Sequence, residues 1–390
     1  MLKKVISYIL LMSLSISLLI FPASAEEPEI NVKAKAAVLM DASSGKVLYA
    51  MNENERLYPA SVTKIMAMLL VAEAIDSGRM TLEETVTASD VAAGKGGSQI
   101  WLREGEQMTV DELLRATAIG SANDACTALG EHLAGSEEAF VKMMNDRAAQ
   151  LGMENTHFDN CSGLDDDTDT HLTTAYDIAI MSRELLKHEF IRNYTTVWMD
   201  TLRDGETELV NTNKLVRFYK GTTGLKTGTT TKAGHCLSAS AERDGLHLIA
   251  VVLGAENSTD RFESAKALLN YGFANYERVA VEIPAELITE VRIIKGYEST
   301  LLPEVRGIGQ ITLRVGQRKN IETELELPAD VEAPVEENQI IGTVRLKIGD
   351  EIIKEYPLVS AREVRKLTFL DVLERFFSSL VKKCQRMNSL

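Results

Sequence analysis

Ser61-Val62-Thr63-Lys64 sets a hydroxyl and an amine three residues apart. On a helix those two positions share a face, so the amine can reach the hydroxyl. Serine alone is a weak nucleophile and needs a base; lysine serves as one only where desolvation or nearby positive charge lowers its pKa. Tyr58-Pro59-Ala60 immediately upstream predicts that Ser61 lies in a first helical turn, at the positive end of the helix dipole. The pattern alone is weak, because two common residues at a fixed spacing recur about once or twice by chance in such a chain. Ser43-x-x-Lys46 and Ser379-x-x-Lys382 match it too, one in a hairpin turn and one on the polar face of a helix. Taken in isolation, Lys64 reads equally well as a first-turn lysine that snorkels to water.

Two further patterns carry candidate chemistry. Ser121-Ala122-Asn123 is the only Ser-x-Asn in the chain and falls at a helix start between apolar stretches. Its serine could equally be an N-cap. Lys226-Thr227-Gly228 is the only Lys-Thr-Gly, in a strand-like run that continues into Thr229 and Thr230. A surface lysine on an edge strand is the alternative there. The glycine argues otherwise, since glycine inside a strand often marks close approach of another backbone or of a ligand.

The elements that must hold these residues can be read from periodicity. Residues 61–75 are almost wholly apolar (Val62, Ile65, Met66, Met68, Leu69, Leu70, Val71, Ile75) and end at Gly78. A segment apolar all round predicts a buried central helix, the setting that would desolvate Lys64. Ser43-Ser44-Gly45 joins strand-like runs at 36–41 and 46–50 into a hairpin. Helical patterns follow at 109–117, 123–133, 137–151 and 174–186. Strand patterns then occupy 224–229, 234–242 and 246–253, the last two joined by Asp244-Gly245, before a helix at 261–276. From residue 279 the texture changes to short alternating runs separated by Gly, Pro and acidic turns, which predicts a separate all-β domain over 279–358.

The 390 residues are 45% hydrophobic and 25% charged, ordinary for a globular protein of two or three domains. Lys+Arg 42 against Asp+Glu 57 gives a net charge of −15, which disfavours a nucleic-acid binder. Lys3 and Lys4, an apolar run over 5–21 and Ala23-Ser24-Ala25 read as an export signal cleaved after Ala25; an uncleaved signal anchor is the alternative. Cys126, Cys161, Cys236 and Cys384 have no metal-ligand spacing and no disulfide framework; Cys126 and Cys236 read as buried thiols, with a disulfide left open. The run Asp165-Asp166-Asp167-Thr168-Asp169 reads as a solvated acidic turn, because Thr170 stands where a calcium loop needs glycine.

Residues 361–390 carry seven Lys/Arg against three Asp/Glu. At helical spacing Phe369, Leu370, Val372, Leu373, Phe376, Phe377, Leu380, Val381 and Cys384 fill one side, and Arg375, Lys382 and Arg386 stand opposite. A basic amphipathic helix of this kind is expected to lie in a membrane interface; docking on the protein's own surface is the alternative.

Ser-x-x-Lys, Ser-x-Asn and Lys-Thr-Gly, in that order on those elements, resemble the three boxes of the penicillin-interacting serine enzymes. Within them the chain resembles the low-molecular-weight penicillin-binding proteins that are serine-type D-alanyl-D-alanine carboxypeptidases. Tyr58 through Met66, Gly120 through Ala125 and Gly224 through Thr230 carry the likeness, with Asn155-Thr156-His157-Phe158, Gly163-Leu164 and His171 through Asp177. The resemblance implies an α+β fold: a β-lactamase/transpeptidase-like domain with an antiparallel sheet flanked by helices, a small all-β sandwich domain and a C-terminal amphipathic helix. The corresponding division is a signal at 1–25, a peptidase domain at 26–278, a β domain at 279–358 and an anchor at 359–390.

It implies, further, that Ser61 attacks the carbonyl between the terminal D-alanines of a cell-wall stem peptide and that Lys64 takes its proton. Ser121 would relay a proton to the departing D-alanine. Asn123 would hold the substrate backbone, and Lys226, Thr227, Gly228 and Thr229 would bind the terminal carboxylate. Backbone N–H groups of Ser61 and Thr229 would form the oxyanion hole. β-Lactams would acylate the same serine. No metal or cofactor is required, and the enzyme would sit on the outer face of the cytoplasmic membrane. A β-lactamase and a non-catalytic penicillin sensor are the competing readings. The Glu-x-x-Leu-Asn segment of class A lactamases does not occur between Asn123 and Lys226.

Overall fold

Strands β1 (Ala36–Asp41) and β2 (Val47–Met51) form the expected hairpin. Strands β3 (Thr222–Thr230), β4 (Gly234–Arg243) and β5 (Leu246–Ala255) form an antiparallel meander. Pairing of β1 with β5 (Val38 opposite Val251) joins the two groups into one five-stranded sheet, in the order β2-β1-β5-β4-β3. The computed structural model behind this description covers residues 30–165 and 168–387; the expected export signal lies outside the described residues.

Both faces of the sheet are covered, which explains why β1 and β5 read as continuous apolar runs. Ala36, Val38 and Met40 of β1, with Ile249, Val251 and Leu253 of β5, pack towards the helices α1 (Lys64–Asp76) and α5 (Ala175–Leu185). The alternate residues Ala37, Leu39, Leu248, Ala250 and Val252 pack beneath Phe262, Leu268 and Leu269 of α6 (Ser258–Asn275). Helix α1 is buried along almost its whole length, as its composition predicts, and α2 (Val110–Arg115), α3 (Asn123–Ala134) and α4 (Glu137–Gln150) complete the layer around it. At roughly 1.5–3 kcal/mol for each large apolar side chain, that burial supplies the drive that submerges Lys64 with its neighbours.

The β unit begins slightly earlier and ends later than the sequence texture implied. Strand β6 (Tyr276–Ala280) leaves α6 directly and pairs with β7 (Gln310–Arg314). Strands β8 (Glu322–Glu326), β9 (Ile340–Ile348) and β10 (Glu351–Ser360) form an antiparallel sheet whose inner face (Val344, Leu346, Tyr356, Leu358) meets Val279, Ile311 and Leu313. Residues beyond β10 still belong to this unit: Val364 is buried and bridges Val335, and Lys366 bridges Gly296. Only at Phe369 does the terminal helix α7 (Phe369–Met387) begin, ten residues after the expected boundary. The amphipathic period was legible there, but Val364 is buried in the β unit against Val335 and not on the helix. Thr312 donates to the buried Asp41 carboxylate at 2.8 Å and ties the two units together.

The acidic run differs from the expectation of a solvated turn. Asp165 is buried and accepts from Thr230 Oγ1 at 2.5 Å, and the exposed Asp169 accepts from Lys232 at 2.9 Å and Tyr58 at 3.1 Å. Cys126, Cys161 and Cys236 are buried free thiols. Among the described residues no helix is long and apolar enough to cross a membrane, and no cluster of His, Cys, Asp or Glu is arranged to hold a metal.

Candidate active site

Ser61 sits in a 3-10 turn (Ala60–Thr63) that opens directly into α1. Ala60 has a left-handed backbone (φ 48), which tips the serine out of the helical line while leaving it half-buried. Two glycines permit the turn to be enclosed so closely. A Cβ on Gly228 would stand 2.6 Å from the Pro59 carbonyl oxygen and 2.9 Å from the Ser61 nitrogen. A Cβ on Gly163 would meet the Ala60 carbonyl oxygen at 1.9 Å. Strand β3 therefore presses on one side of Ser61 and the 162–164 loop on the other.

Lys64 is wholly buried, not snorkelling. Its Nζ lies 2.9 Å from Ser61 Oγ, 2.6 Å from Asn123 Oδ1 and 2.8 Å from the Ser162 carbonyl oxygen. Burial pulls its pKa down to about 8, against upward pulls from Cys126, Cys161 and Asp124. The partners decide what the neutral amine does. Asn123 Oδ1 and the Ser162 carbonyl only accept, so they take the two N–H groups of a neutral amine and leave its lone pair for the Ser61 O–H. The arrangement can therefore accommodate a neutral lysine that accepts the serine proton.

Ser121 is not an N-cap. Helix α2 opens with a Thr109/Glu112 capping box, then widens into a π-turn (Ala116–Gly120) that ends with Ser121 in a left-handed conformation (φ 61). Ala122 is extended and α3 starts at Asn123. Single π-turns of this kind gather at functional sites. The detour turns Ser121 towards β3, where Lys226 Nζ donates to its Oγ at 2.8 Å and to the Thr227 carbonyl at 3.0 Å. Asn123 carries load at both ends, because its Nδ2 donates to the Gly96 carbonyl at 2.7 Å while its Oδ1 holds Lys64. One amide hydrogen is left over.

Strand β3 is indeed an edge strand, yet Lys226 is wholly buried, since the free edge faces the Ser61 turn. Desolvation, the Lys64 amine and the Arg261 guanidinium all hold its pKa well below the ordinary lysine value. Thr227 donates to Thr212 Oγ1 at 2.6 Å, and Thr229 is exposed at the mouth of the site.

Two residues outside the motifs complete the arrangement. Arg261, on the first turn of α6, is 6% exposed and donates through Nη1 to the Gly228 carbonyl (3.1 Å), Thr229 Oγ1 (3.2 Å) and the Cys236 carbonyl (3.2 Å). Burial lowers its pKa to about 10, so the guanidinium stays charged at neutral pH. No local pattern marks it; only the packing of α6 on the sheet brings it to β3. His171 braces the Ser61 turn from behind. Its Nδ1 accepts from the Asp159 N–H at 3.0 Å, so in the neutral ring Nε2 carries the proton and donates to Thr63 Oγ1 at 2.8 Å. Burial holds His171 at about 4, which keeps it neutral.

A serine paired with a buried lysine one turn along, faced by a second serine bonded to a lysine of the sheet's edge strand, is the site of a penicillin-interacting serine enzyme. The comparisons agree: the D-alanyl-D-alanine carboxypeptidase family model matches residues 22–257, and that of the C-terminal domain of penicillin-binding protein 5 matches residues 286–366. The chain belongs to the D-alanyl-D-alanine carboxypeptidase family. It is 39% identical to the D-alanyl-D-alanine carboxypeptidase DacF of Bacillus subtilis, over 97% of this chain and 99% of that one. It is 34% identical to DacC of Escherichia coli, over 86% and 85% respectively. Among solved structures, penicillin binding protein 5 of Haemophilus influenzae aligns with a TM-score of 0.78 at 30% identity, covering 86% of this chain and 98% of that one. The protein is a serine-type D-Ala-D-Ala carboxypeptidase with the expected α+β fold.

Proposed function

We propose that Ser61 is the nucleophile that removes the terminal D-alanine from peptidoglycan stem peptides through an acyl-enzyme, with Lys64 as its base. The observation that carries this is the set of distances around Lys64 Nζ, which leaves an uncharged amine only the serine as proton donor. The Ser61 oxygen attacks the penultimate D-Ala carbonyl as its proton passes to Lys64. The N–H groups of Ser61 and Thr229 receive the developing oxyanion. The peptide C–N bond then breaks, with Ser121, bonded to Lys226, delivering a proton to the leaving D-Ala nitrogen. Water hydrolyses the ester and restores the serine.

The terminal carboxylate binds at Lys226, Thr227 and Thr229, and Arg261 adds the charge that persists there at neutral pH. Asn123 orients Lys64 and offers its remaining amide hydrogen to the substrate backbone. β-Lactams acylate the same serine; penicillin-binding protein D2 of Listeria monocytogenes, a structural neighbour, has been solved in ampicillin- and cefotaxime-bound forms. The test is release of D-alanine from a peptide ending in Lys-D-Ala-D-Ala, together with the mass of the penicillin adduct. Ser61→Ala is expected to abolish both. Labelling that persists in that variant would remove Ser61 from the role.

We further propose that the protein is exported through residues 1–25 and held at the outer face of the cytoplasmic membrane by α7. Phe369, Leu370, Val372, Leu373, Phe376 and Phe377 are exposed on that helix and find no cover on the protein's own described surface. Removing residues 369–390 is expected to abolish sedimentation with anionic lipid vesicles without loss of peptidase activity; unchanged sedimentation would reject the anchor.

A further inference from the structure

Trp101 is 74% exposed, and its backbone lies in the left-handed region (φ 61), which a bulky side chain avoids. Such a conformation costs on the order of 1–3 kcal/mol and persists only where the surroundings fix it. They do so here. Ile100 and Leu102 on either side are buried, and their N–H groups both donate to the Asp124 carboxylate, at 3.1 and 3.0 Å. Arg203 clamps the same loop from the hairpin of Met199–Leu202 and Thr207–Val210, donating to the Ile100 carbonyl at 2.8 Å, Thr207 Oγ1 at 2.9 Å and Glu106 at 2.7 Å. The fold thus spends two buried carboxylate hydrogen bonds and a guanidinium clamp to hold an indole out in water.

The loop is also coupled to the catalytic residues. The Asn123 N–H donates to the Ser98 carbonyl at 2.6 Å, and Asp124 is the next residue of α3. Trp101 stands three residues beyond Ser98, so at most about 10 Å of chain separates it from the wall of the site. An extended stem of four residues spans about 13 Å between the scissile carbonyl and the sugar that bears it. Beside Trp101 opens a cavity of about 570 Å³, lined also by Arg103, Glu104, Arg203, Glu206 and Thr207. That volume lies within the range of about 300–1,000 Å³ typical of small-ligand sites. Its walls carry two Arg against three Glu (Glu104, Glu106 and Glu206), mixed donors and acceptors with no positive excess that would select an anion.

We propose that Trp101 and this cavity form a subsite for an amino-sugar ring of the glycan to which the stem peptide is attached. A fixed indole offers a flat apolar face to the C–H face of a pyranose, and the mixed Arg and Glu walls offer donors and acceptors to its hydroxyl and acetamido groups. The inference rests on the D-Ala-D-Ala reading of the Ser61 site.

Two substrates separate the claims: a free pentapeptide ending in D-Ala-D-Ala, and the same peptide joined to the N-acetylglucosamine–N-acetylmuramic acid disaccharide. The natural enzyme is expected to favour the second in kcat/KM by about tenfold, through KM, the size of effect that one aromatic stacking contact gives. In Trp101→Ala that ratio falls to about one, and in Trp101→Phe it is partly kept. Equal kcat/KM for the two substrates in the natural enzyme, or a ratio unmoved in Trp101→Ala, overturns the subsite. A parallel loss on both substrates overturns it too, since the groove would then serve the peptide. Failure to cleave either substrate would instead strike the Ser61 reading. A second readout uses the chain's two tryptophans: Trp198→Phe leaves Trp101 as the sole indole, whose emission should change on titration with the disaccharide alone. No change at millimolar sugar overturns the proposal.

Discussion

Asn123→Asp exchanges the carboxamide whose oxygen lies 2.6 Å from the Lys64 amine for a carboxylate of nearly the same shape. In the natural enzyme Lys64 titrates at about 8 and must be uncharged to take the serine proton. Acylation should therefore rise about tenfold per pH unit below 8 and level off above it, because only about a tenth of the molecules carry a neutral Lys64 at pH 7. A carboxylate in direct contact favours the ammonium and raises a lysine pKa by roughly 1–3 units. A shift of about two units leaves about one molecule in a thousand neutral at pH 7, so acylation there should fall roughly 100-fold. The loss should recover as the pH approaches 10. Stopped-flow acylation by a fluorescent penicillin, measured from pH 6 to 10 in both proteins, reads the two profiles directly. A variant that is equally slow at every pH would mean that Asn123 acts on the substrate and not on Lys64. A natural enzyme whose rate is flat below pH 8 would refute the lysine base itself.

Gly228→Ala places a methyl group 2.6 Å from the Pro59 carbonyl and 2.9 Å from the Ser61 nitrogen. Overpacking of this kind costs about 1–3 kcal/mol, so thermal denaturation should show a Tm lower by roughly 2–12 °C, with slower acylation as the turn is displaced. An unchanged Tm and unchanged acylation would show that β3 does not fix the serine. Arg261→Gln removes the guanidinium beside Thr229 and should raise KM for a D-Ala-D-Ala peptide roughly 10- to 150-fold, the value of a hydrogen bond to a charged group. A peptide whose terminal carboxylate is amidated should lose little. Equal losses on both substrates would make Arg261 a structural brace only.

The fold was legible in the chain to the extent that its periodicities are local. Helix α1 announced itself because every face of it is apolar, and the β3–β5 meander because Asp244-Gly245 closes a hairpin between two runs of strand formers. Residue type and spacing marked Ser61, Lys64 and Lys226 as candidates, the resemblance suggested their roles, and the all-apolar helix predicted the burial of Lys64. What could not be read depends on packing between distant segments. Arg261 lies 33 residues after Gly228 and meets it only through the docking of α6. The Ser162 carbonyl reaches Lys64 across 98 residues through a loop with no period of its own. Ser121 looked like a helix cap because a π-turn is invisible in composition; the geometry that aims it at Lys226 is a backbone detour between two ordinary helices. Val364 belonged to the β unit for the same reason, its partner Val335 lying 29 residues earlier in an isolated bridge outside any strand.

Two lysines with identical chemistry stand in one buried pocket, and their surroundings divide the work between them. Lys64 is met by two acceptors and a hydroxyl, which suits an amine that gains a proton. Lys226 is met by Ser121, a carbonyl and the charge of Arg261, and among the described residues no carboxylate pairs with it. Burial and two neighbouring cations oppose a proton on Lys226 in the free enzyme; an incoming carboxylate reverses that balance, since an opposite charge within about 4–6 Å favours the charged form. On this account the terminal carboxylate does more than anchor the peptide. It favours the charged form of Lys226 next to Ser121, where a donor is needed, while Lys64 faces acceptors and the Ser61 hydroxyl. An amidated peptide or a β-lactam ester should then bind without that push towards the charged lysine, and its deficit should lie in the step where the leaving group is protonated more than in the attack by Ser61.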